Sequence, residues 1–273
     1  MTRIGCCLSF SLIAAAAATA QVDGYLPLDL ARLQAAGHQF ELDGDWRYHA
    51  GEHPRGADPE LDDSDWQLLP SRLPPQGLPA DGWPDIVWLR LHIETDESLI
   101  DTALALTLKQ FGASDVWLQG RRVLRYGQID SSGRATMTTI DLIPRPLPLL
   151  QGTRQVLAVR HATRPLESLH RDGLEAGFQA SIGELRGATR AWSDDVNLFR
   201  MLQQFTVGAL GAFSLFFLMM FAFYPALRRN LDVGVYTVIL ASLVFLNFQL
   251  EFAADLWQHT FMERLWRIAV VLA

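Results

Sequence analysis

The chain has 273 residues, a formal net charge of −7 at pH 7 and 49% hydrophobic residues. That length leaves room for one domain of about 150–180 residues plus a membrane region, and the acidic balance excludes a nucleic-acid partner, whose phosphates need a basic surface. The mean hydropathy of +0.11 is spread unevenly, with the apolar residues concentrated at 8–20 and again from about 205 onward.

Residues 1–20 read as a secretory signal peptide. Arg3 supplies the positive start, 8–18 the short apolar core, and Ala18-Thr19-Ala20 the small-residue cleavage site. The run is too short for a span. Cys6 and Cys7, with no apolar stretch before them, are not read as a lipid anchor, and both leave with this segment. The mature chain is then expected to hold its fold without disulfides.

Residues 21–37 read as a lead-in, and 38–186 as a single strand-rich domain. Val87, Leu89, Leu91 and Ile93 alternate with Arg90, His92 and Glu94; Leu104, Leu106 and Leu108 repeat the pattern, as do Val116 with Leu118 and Leu157 with Val159. A period of two predicts half-buried antiparallel strands, one face on the core and one toward water. Asp43-Gly44, Asp81-Gly82, Gln119-Gly120, Ser132-Gly133 and Gln151-Gly152 mark turns. Many short strands without helical patterns between them predict a β-sandwich.

From 187 to 204 the spacing of Trp192, Val196, Phe199 and Leu202 changes to helical, with Ser193 as the expected N-cap. This helix is expected to feed into a first span at 205–224, an uncharged stretch long enough to cross a bilayer. A loop at 225–232 carries Arg228 and Arg229, a second span follows at 233–252, a loop at 253–264, and a third span begins at 265–273. The chain is expected to continue beyond Ala273. Arg228 and Arg229 determine the topology, because the positive-inside rule puts them in the cytoplasm and the strand domain outside. Asn247, Gln249 and Glu251 lie near the outer end of the second span, where polar groups reach the interface.

Several stretches follow one another in a known order: Gly44-Asp45-Trp46, Asp62-Asp63-Ser64-Asp65-Trp66 before Leu69-Pro70, Ile86 to Leu91, Val116 to Gly120, and Gly152 to Arg160. Residues 40–186 resemble the galactose-binding-like jelly roll that serves as the sugar-binding domain of family 2 glycoside hydrolases. A jelly roll followed by membrane spans resembles the bacterial seven-transmembrane receptors with diverse intracellular signalling modules. The resemblance implies an all-β jelly-roll sandwich followed by α-helical transmembrane segments. It also implies a multi-pass protein of the bacterial inner membrane with 21–204 in the periplasm. The role it implies is the sensory portion of a receptor that binds a small ligand or carbohydrate and passes the signal to a cytoplasmic output domain. The alternative is a membrane-tethered carbohydrate-binding or scaffold module without output. The pattern departs at Gln119, where the family has Asn, and at Val87-Trp88-Leu89.

Glycoside hydrolysis needs two carboxylates facing each other across a cleft. Asp62, Asp63 and Asp65 fit a turn better, so no enzyme activity is assigned. His49 and His53 span a strand end and a loop rather than a ligating geometry. The 58–65 loop is the candidate for a structural Ca²⁺ held by oxygens, and no other cofactor is expected. Trp46 and Trp66 are expected in the core. Trp83, in the Pro/Gly-rich stretch 74–85, and Trp88 and Trp117, on the non-core face of their strands, are candidates to stack on a sugar. For Trp88 and Trp117 the favoured reading is packing on the juxtamembrane helix or on a neighbouring subunit of a homodimer. Arg160, His161, Arg164 and His170, with Arg171, read first as a solvated basic edge and second as a candidate site for a carboxylate or an acidic sugar.

Overall fold

The structure is a computed structural model that describes residues 24–37, 39–42, 45–74, 77–79, 82–99, 101–130, 132–137, 142–148, 154–163, 175–251, 261–262, 264–265 and 270. The segment read as a signal peptide lies outside them, as does most of the stretch read as a third span. Leu26–Leu28 (β1) leads into a one-turn helix, Leu30–Ala35 (α1), whose N-cap Asp29 accepts from the Arg32 amide at 2.7 Å. Phe40–Glu41 (β2), Trp46–Ala50 (β3), Gln67–Leu69 (β4) and Arg72–Leu73 (β5) follow, then the long Ile86–Thr95 (β6). Next come Leu104–Gln110 (β7), Gly112–Leu118 (β8), Arg121–Tyr126 (β9), Gln128–Ile129 (β10) and Ala135–Met137 (β11). Arg145–Leu147 (β12), Arg154–Thr163 (β13) and Ala176–Glu184 (β14) close the strand region, before two long helices, Leu185–Phe223 (α2) and Arg228–Glu251 (α3).

The described strands form two mainly antiparallel sheets and a separate two-stranded antiparallel pair, β10 with β11. The larger runs β4-β3-β6-β13-β8-β9 with β1 parallel along β6; the smaller runs β12-β7-β14-β2 with β5 on β14. Val87, Leu89, Leu91 and Ile93 of β6, Leu157 and Val159 of β13, and Val116 and Leu118 of β8 meet Leu104, Leu106 and Leu108 of β7. Phe178, Ala180 and Ile182 of β14 complete this shared core. The period of two thus places one sheet face on the other, as the alternation demands. The β8–β9 hairpin turns on Gln119 (φ 49°) and Gly120 (φ 75°), the paired positive φ values of a type I′ turn. Gln119 adapts to this through its side chain, which accepts from the Val156 amide at 2.8 Å.

The stretch read as a lead-in belongs to the domain. β1 pairs Leu26 with Ile93 and Leu28 with Thr95, and Leu26, Leu28 and Leu33 are buried in the core. A three-residue strand and a one-turn helix are too short to show a period in sequence; only their burial reveals them.

The helix boundary also moves. Glu184 ends β14 and Leu185 starts α2 at once, so Ser193 lies inside the helix and is not its cap. The Leu185 amide bonds to Ala103 O at 2.8 Å, fixing the first turn to the start of β7. α2 has 39 residues, about 58 Å at 1.5 Å per residue. Tyr224 and Pro225 break it, and Arg228 and Arg229 stand on the first turn of α3 rather than in a longer loop. The helices pack as an antiparallel pair. Ser214 Oγ donates to Gly234 O at 2.8 Å, and Leu218 covers Gly234 so closely that a Cβ there would lie 2.8 Å from Leu218 Cδ2. Both helices are long and apolar enough to cross a membrane, with mean hydropathies of 2.0 and 1.5 in their most apolar windows.

Candidate functional site

Strand alternation turns one set of side chains of the larger sheet away from the core, and register lines them up in two rows across it. His49, Trp88, Arg160, Asp115 and Arg125 form one row; Arg47, Arg90, Ala158, Trp117 and Arg122 form the next. Ala158 is small, so Trp88 and Trp117 meet over it, their ring centroids 5.1 Å apart and tilted by 33°.

Half of this face is not open to water. The segment between β3 and β4 folds down onto it. Gly56 lies flat on the Trp88 indole, where a Cβ would come within 2.4 Å of the ring. Trp66, Trp88 and Ala158 form a second apolar cluster with Ala57, Leu61 and Trp117 around it. Trp66 therefore sits outside the inter-sheet core in which sequence reasoning expects it, whereas Trp46 is inside it, donating Nε1–H to Leu42 O at 3.0 Å. The cover on Trp88 is this segment, not the juxtamembrane helix.

The segment is held by a buried arginine. Arg90 is fully buried; its Nε donates to Asp63 Oδ2 at 2.6 Å and its Nη1 to Gly56 O and Asp58 O, both at 2.8 Å. His92 Nε2 meets the same carboxylate oxygen at 2.9 Å, and Arg47 approaches Asp63 Oδ1 at 3.4 Å. Burial pushes the Asp63 pKa up, but the His92 hydrogen bond and the His92 and Arg90 charges outweigh it, and the net shift is downward. Within the 58–65 loop, the Asp63 carboxylate and the Asp58 carbonyl both turn to the Arg90 guanidinium. Asp58 is bound by Arg55 at 2.6 Å, and Asp62 caps its own turn through the Ser64 amide. His49 and His53 stack edge-on, 4.9 Å apart, against Trp66. Loss of hydration lowers the His53 pKa, and the positive charge of His49, Arg90 and Arg55 adds to it.

The other half of the face is open. Arg160 forks onto both carboxylate oxygens of Glu52, and this pairing, followed by the Trp88 indole, holds the Glu52 pKa down. Asp115 is almost buried and accepts from Arg125 Nε at 2.7 Å, with Arg160 Nη1 at 3.8 Å and Arg122 Nη1 at 3.9 Å. Trp117, partly buried, sits beside Arg122 in register.

Of the sequence-derived candidates, Trp88, Trp117 and Arg160 thus share one patch. Trp83 does not join it. Instead of lying exposed in its loop, it stacks on Tyr48 in the core at 5.3 Å and donates to Thr163 Oγ1 at 2.7 Å. His161, next to Arg160, points the opposite way by strand alternation and is buried; there it meets Ser114 Oγ at 2.9 Å, which donates on to Gln110 Oε1. Burial pushes its pKa down to about 3, so it is a neutral interior group and not part of a basic edge. Arg164 and His170 lie outside the described residues. Glu52, Asp115, Arg122 and Arg125 escape sequence reasoning: the Gln-Gly turn sets Trp117 opposite Arg122, but Asp115 meets Arg125 rather than Leu124 only because the register shifts between Val116 and Trp117.

Compared with known proteins, no family model matches the chain and no curated protein matches it. Its structural neighbours are family 2 glycosyl hydrolases and related enzymes. It is similar to a family 2 glycosyl hydrolase from Bacteroides cellulosilyticus DSM 14838, with 18% identity and a TM-score of 0.39 over 54% of this chain and 20% of that one. It is similar to Bacteroides uniformis beta-glucuronidase 2, with 17% identity and a TM-score of 0.40 over 53% of this chain and 17% of that one. A beta-glycosidase from Bacteroides vulgatus gives 14% identity and 0.38 over 54% and 20%. The chain spans a fifth or less of the length of these three enzymes.

Proposed function

We propose that this chain is the sensory portion of a transmembrane signalling receptor. In this reading residues 21–204 lie in the bacterial periplasm, with 38–186 as a galactose-binding-like jelly roll, and the role is recognition of a small ligand such as a carbohydrate, not catalysis. The observation that carries it is the join of strand to helix. β14 belongs to the smaller sheet and passes into α2 with no intervening residue, and the first turn is tied to β7. About 20 residues of helix suffice to cross a bilayer, so a 39-residue helix extends well beyond it toward the sandwich. A stiff rod of this kind transmits a tilt or rotation of the sheets into the apolar pair. There the Ser214–Gly234 contact gives α2 and α3 a defined packing that ligand binding biases.

The test is cysteine accessibility in intact cells, using Ser193→Cys on the outer part of α2 and Asn230→Cys beside the two arginines. An impermeant maleimide is expected to label the first at once and the second only after permeabilisation. The reverse pattern overturns the orientation. Correct orientation with no change in Ser193→Cys labelling across a panel of neutral and acidic monosaccharides favours the tethered module over the receptor.

A further inference from the structure

We infer that Trp117, Arg122 and Arg125 form a recognition site for a carboxylate-bearing saccharide, which rests on the small-ligand reading above and names its chemical class. The geometry has three guanidiniums and two carboxylates. Glu52 is spent on Arg160, which takes both of its oxygens. Asp115 remains for Arg122 and Arg125, yet only Arg125 Nε reaches hydrogen-bond distance, at 2.7 Å; Arg122 Nη1 stands off at 3.9 Å. Both arginine side chains are about half exposed, at 52% and 53%, while Asp115 is 8% exposed and cannot turn outward to serve them. Among the described residues these two guanidiniums meet no other carboxylate, and their remaining N–H donors face water beside one that is already engaged. The two forks match the planar, bidentate geometry of a second carboxylate.

Trp117 supplies the other half of the site. It pairs in register with Arg122 and is fixed by contact with Trp88, itself clamped under Gly56. A partly exposed indole held beside two cationic forks offers an apolar surface for a pyranose ring, with the anion-binding groups next to it. A neutral sugar uses only the indole, and a simple inorganic anion uses only the arginines. By contrast Arg90 and Arg47 converge on the buried Asp63, and the exposed Arg154 has a carboxylate of its own in Glu94.

The experiment is equilibrium dialysis of the whole chain in detergent micelles against radiolabelled glucuronate and glucose, which differ only in the C6 carboxylate, with sodium sulfate as competitor. Glucuronate is expected to bind about tenfold or more tighter than glucose, as a charge-assisted hydrogen bond implies, and to weaken as salt is raised. Arg122→Gln and Arg125→Gln are each expected to cost about tenfold for glucuronate and nothing for glucose, and Trp117→Leu to weaken both. Arg122→Gln, which breaks no side-chain hydrogen bond among the described residues, guards against misfolding of the Arg125 variant. Equal binding of the two sugars, unchanged glucuronate binding in Arg122→Gln, or sulfate competing as tightly as glucuronate itself would overturn the site. Glucuronate binding that, like glucose binding, ignores both arginines would do so while leaving a saccharide sensor intact, and the cysteine-labelling topology stands or falls separately because it needs no ligand.

Discussion

The two faces of β6 are both buried, and by opposite chemistry. Inward, Val87, Leu89, Leu91 and Ile93 pack in an apolar core where burial itself is the driving force. Outward, Trp88 and Arg90 are equally dry, but beneath a chain segment attached by a guanidinium, a carboxylate and two backbone carbonyls. The first face tolerates apolar exchange of similar volume. The second does not, because each charge there is stable only while its partner remains. A polar-looking strand face is therefore not a solvent face when a guanidinium on it has a carboxylate to meet.

The largest effect that sharpens this contrast is Arg90→Leu. It leaves Asp63 short of its main partner in a buried site and strips Gly56 O and Asp58 O of their donor, for an expected loss of about 3–5 kcal/mol. Leu89→Ala, one residue away on the core side, is expected to cost about 2–5 kcal/mol as a cavity. Urea unfolding followed by tryptophan fluorescence compares the totals. Hydrogen exchange separates the mechanisms: Arg90→Leu deprotects amides in the segment between β3 and β4 first, and Leu89→Ala loosens both sheets. If the two variants give the same exchange pattern, the faces are not distinct.

A pH titration comes next. His161 has its folded pKa pushed down to about 3, against an unfolded value near 6.5. Its neutral form is the one the interior accepts, so its contribution to stability is complete above pH 6.5 and lost as pH falls toward 3. The slope is at most about 1.4 kcal/mol per pH unit. His161→Gln lowers stability at neutral pH but is expected to remove that slope between pH 6 and 4. An unchanged slope assigns the acid sensitivity elsewhere. Asp63 acts only lower, because its depressed pKa keeps its contribution intact above about pH 4 and loses it below.

The smallest of the three is Gly56→Ala. The new methyl would overlap the Trp88 ring, and overpacking of this kind costs about 1–3 kcal/mol. The measurable consequence is a rise in Trp88 exposure by acrylamide quenching. No change in quenching means that the segment shifts without opening.

The sequence by itself determined the alternating strands of the larger sheet, the Gln119-Gly120 hairpin and the two apolar helices, because each is a local property: side-chain period, turn chemistry and unbroken hydropathy. It also determined which residues of β6 and β8, and Ala158 and Arg160 of β13, point away from the core. What covers that outward face was decided only in three dimensions. Asp63 lies 27 residues from Arg90, and no local pattern brings them together; the same distance hid Glu52 from Arg160, 108 residues away. The fates of Trp83 and His161 were likewise settled by tertiary structure. Tyr48 and Thr163 draw one indole inward, and Ser114 with Gln110 gives a buried imidazole a polar neighbour. Short β1 and α1 joined the core because Leu26, Leu28 and Leu33 fill space between the sheets. Burial of apolar volume and pairing of buried charge are both properties of contacts distant in sequence, and the chain reveals them only once folded.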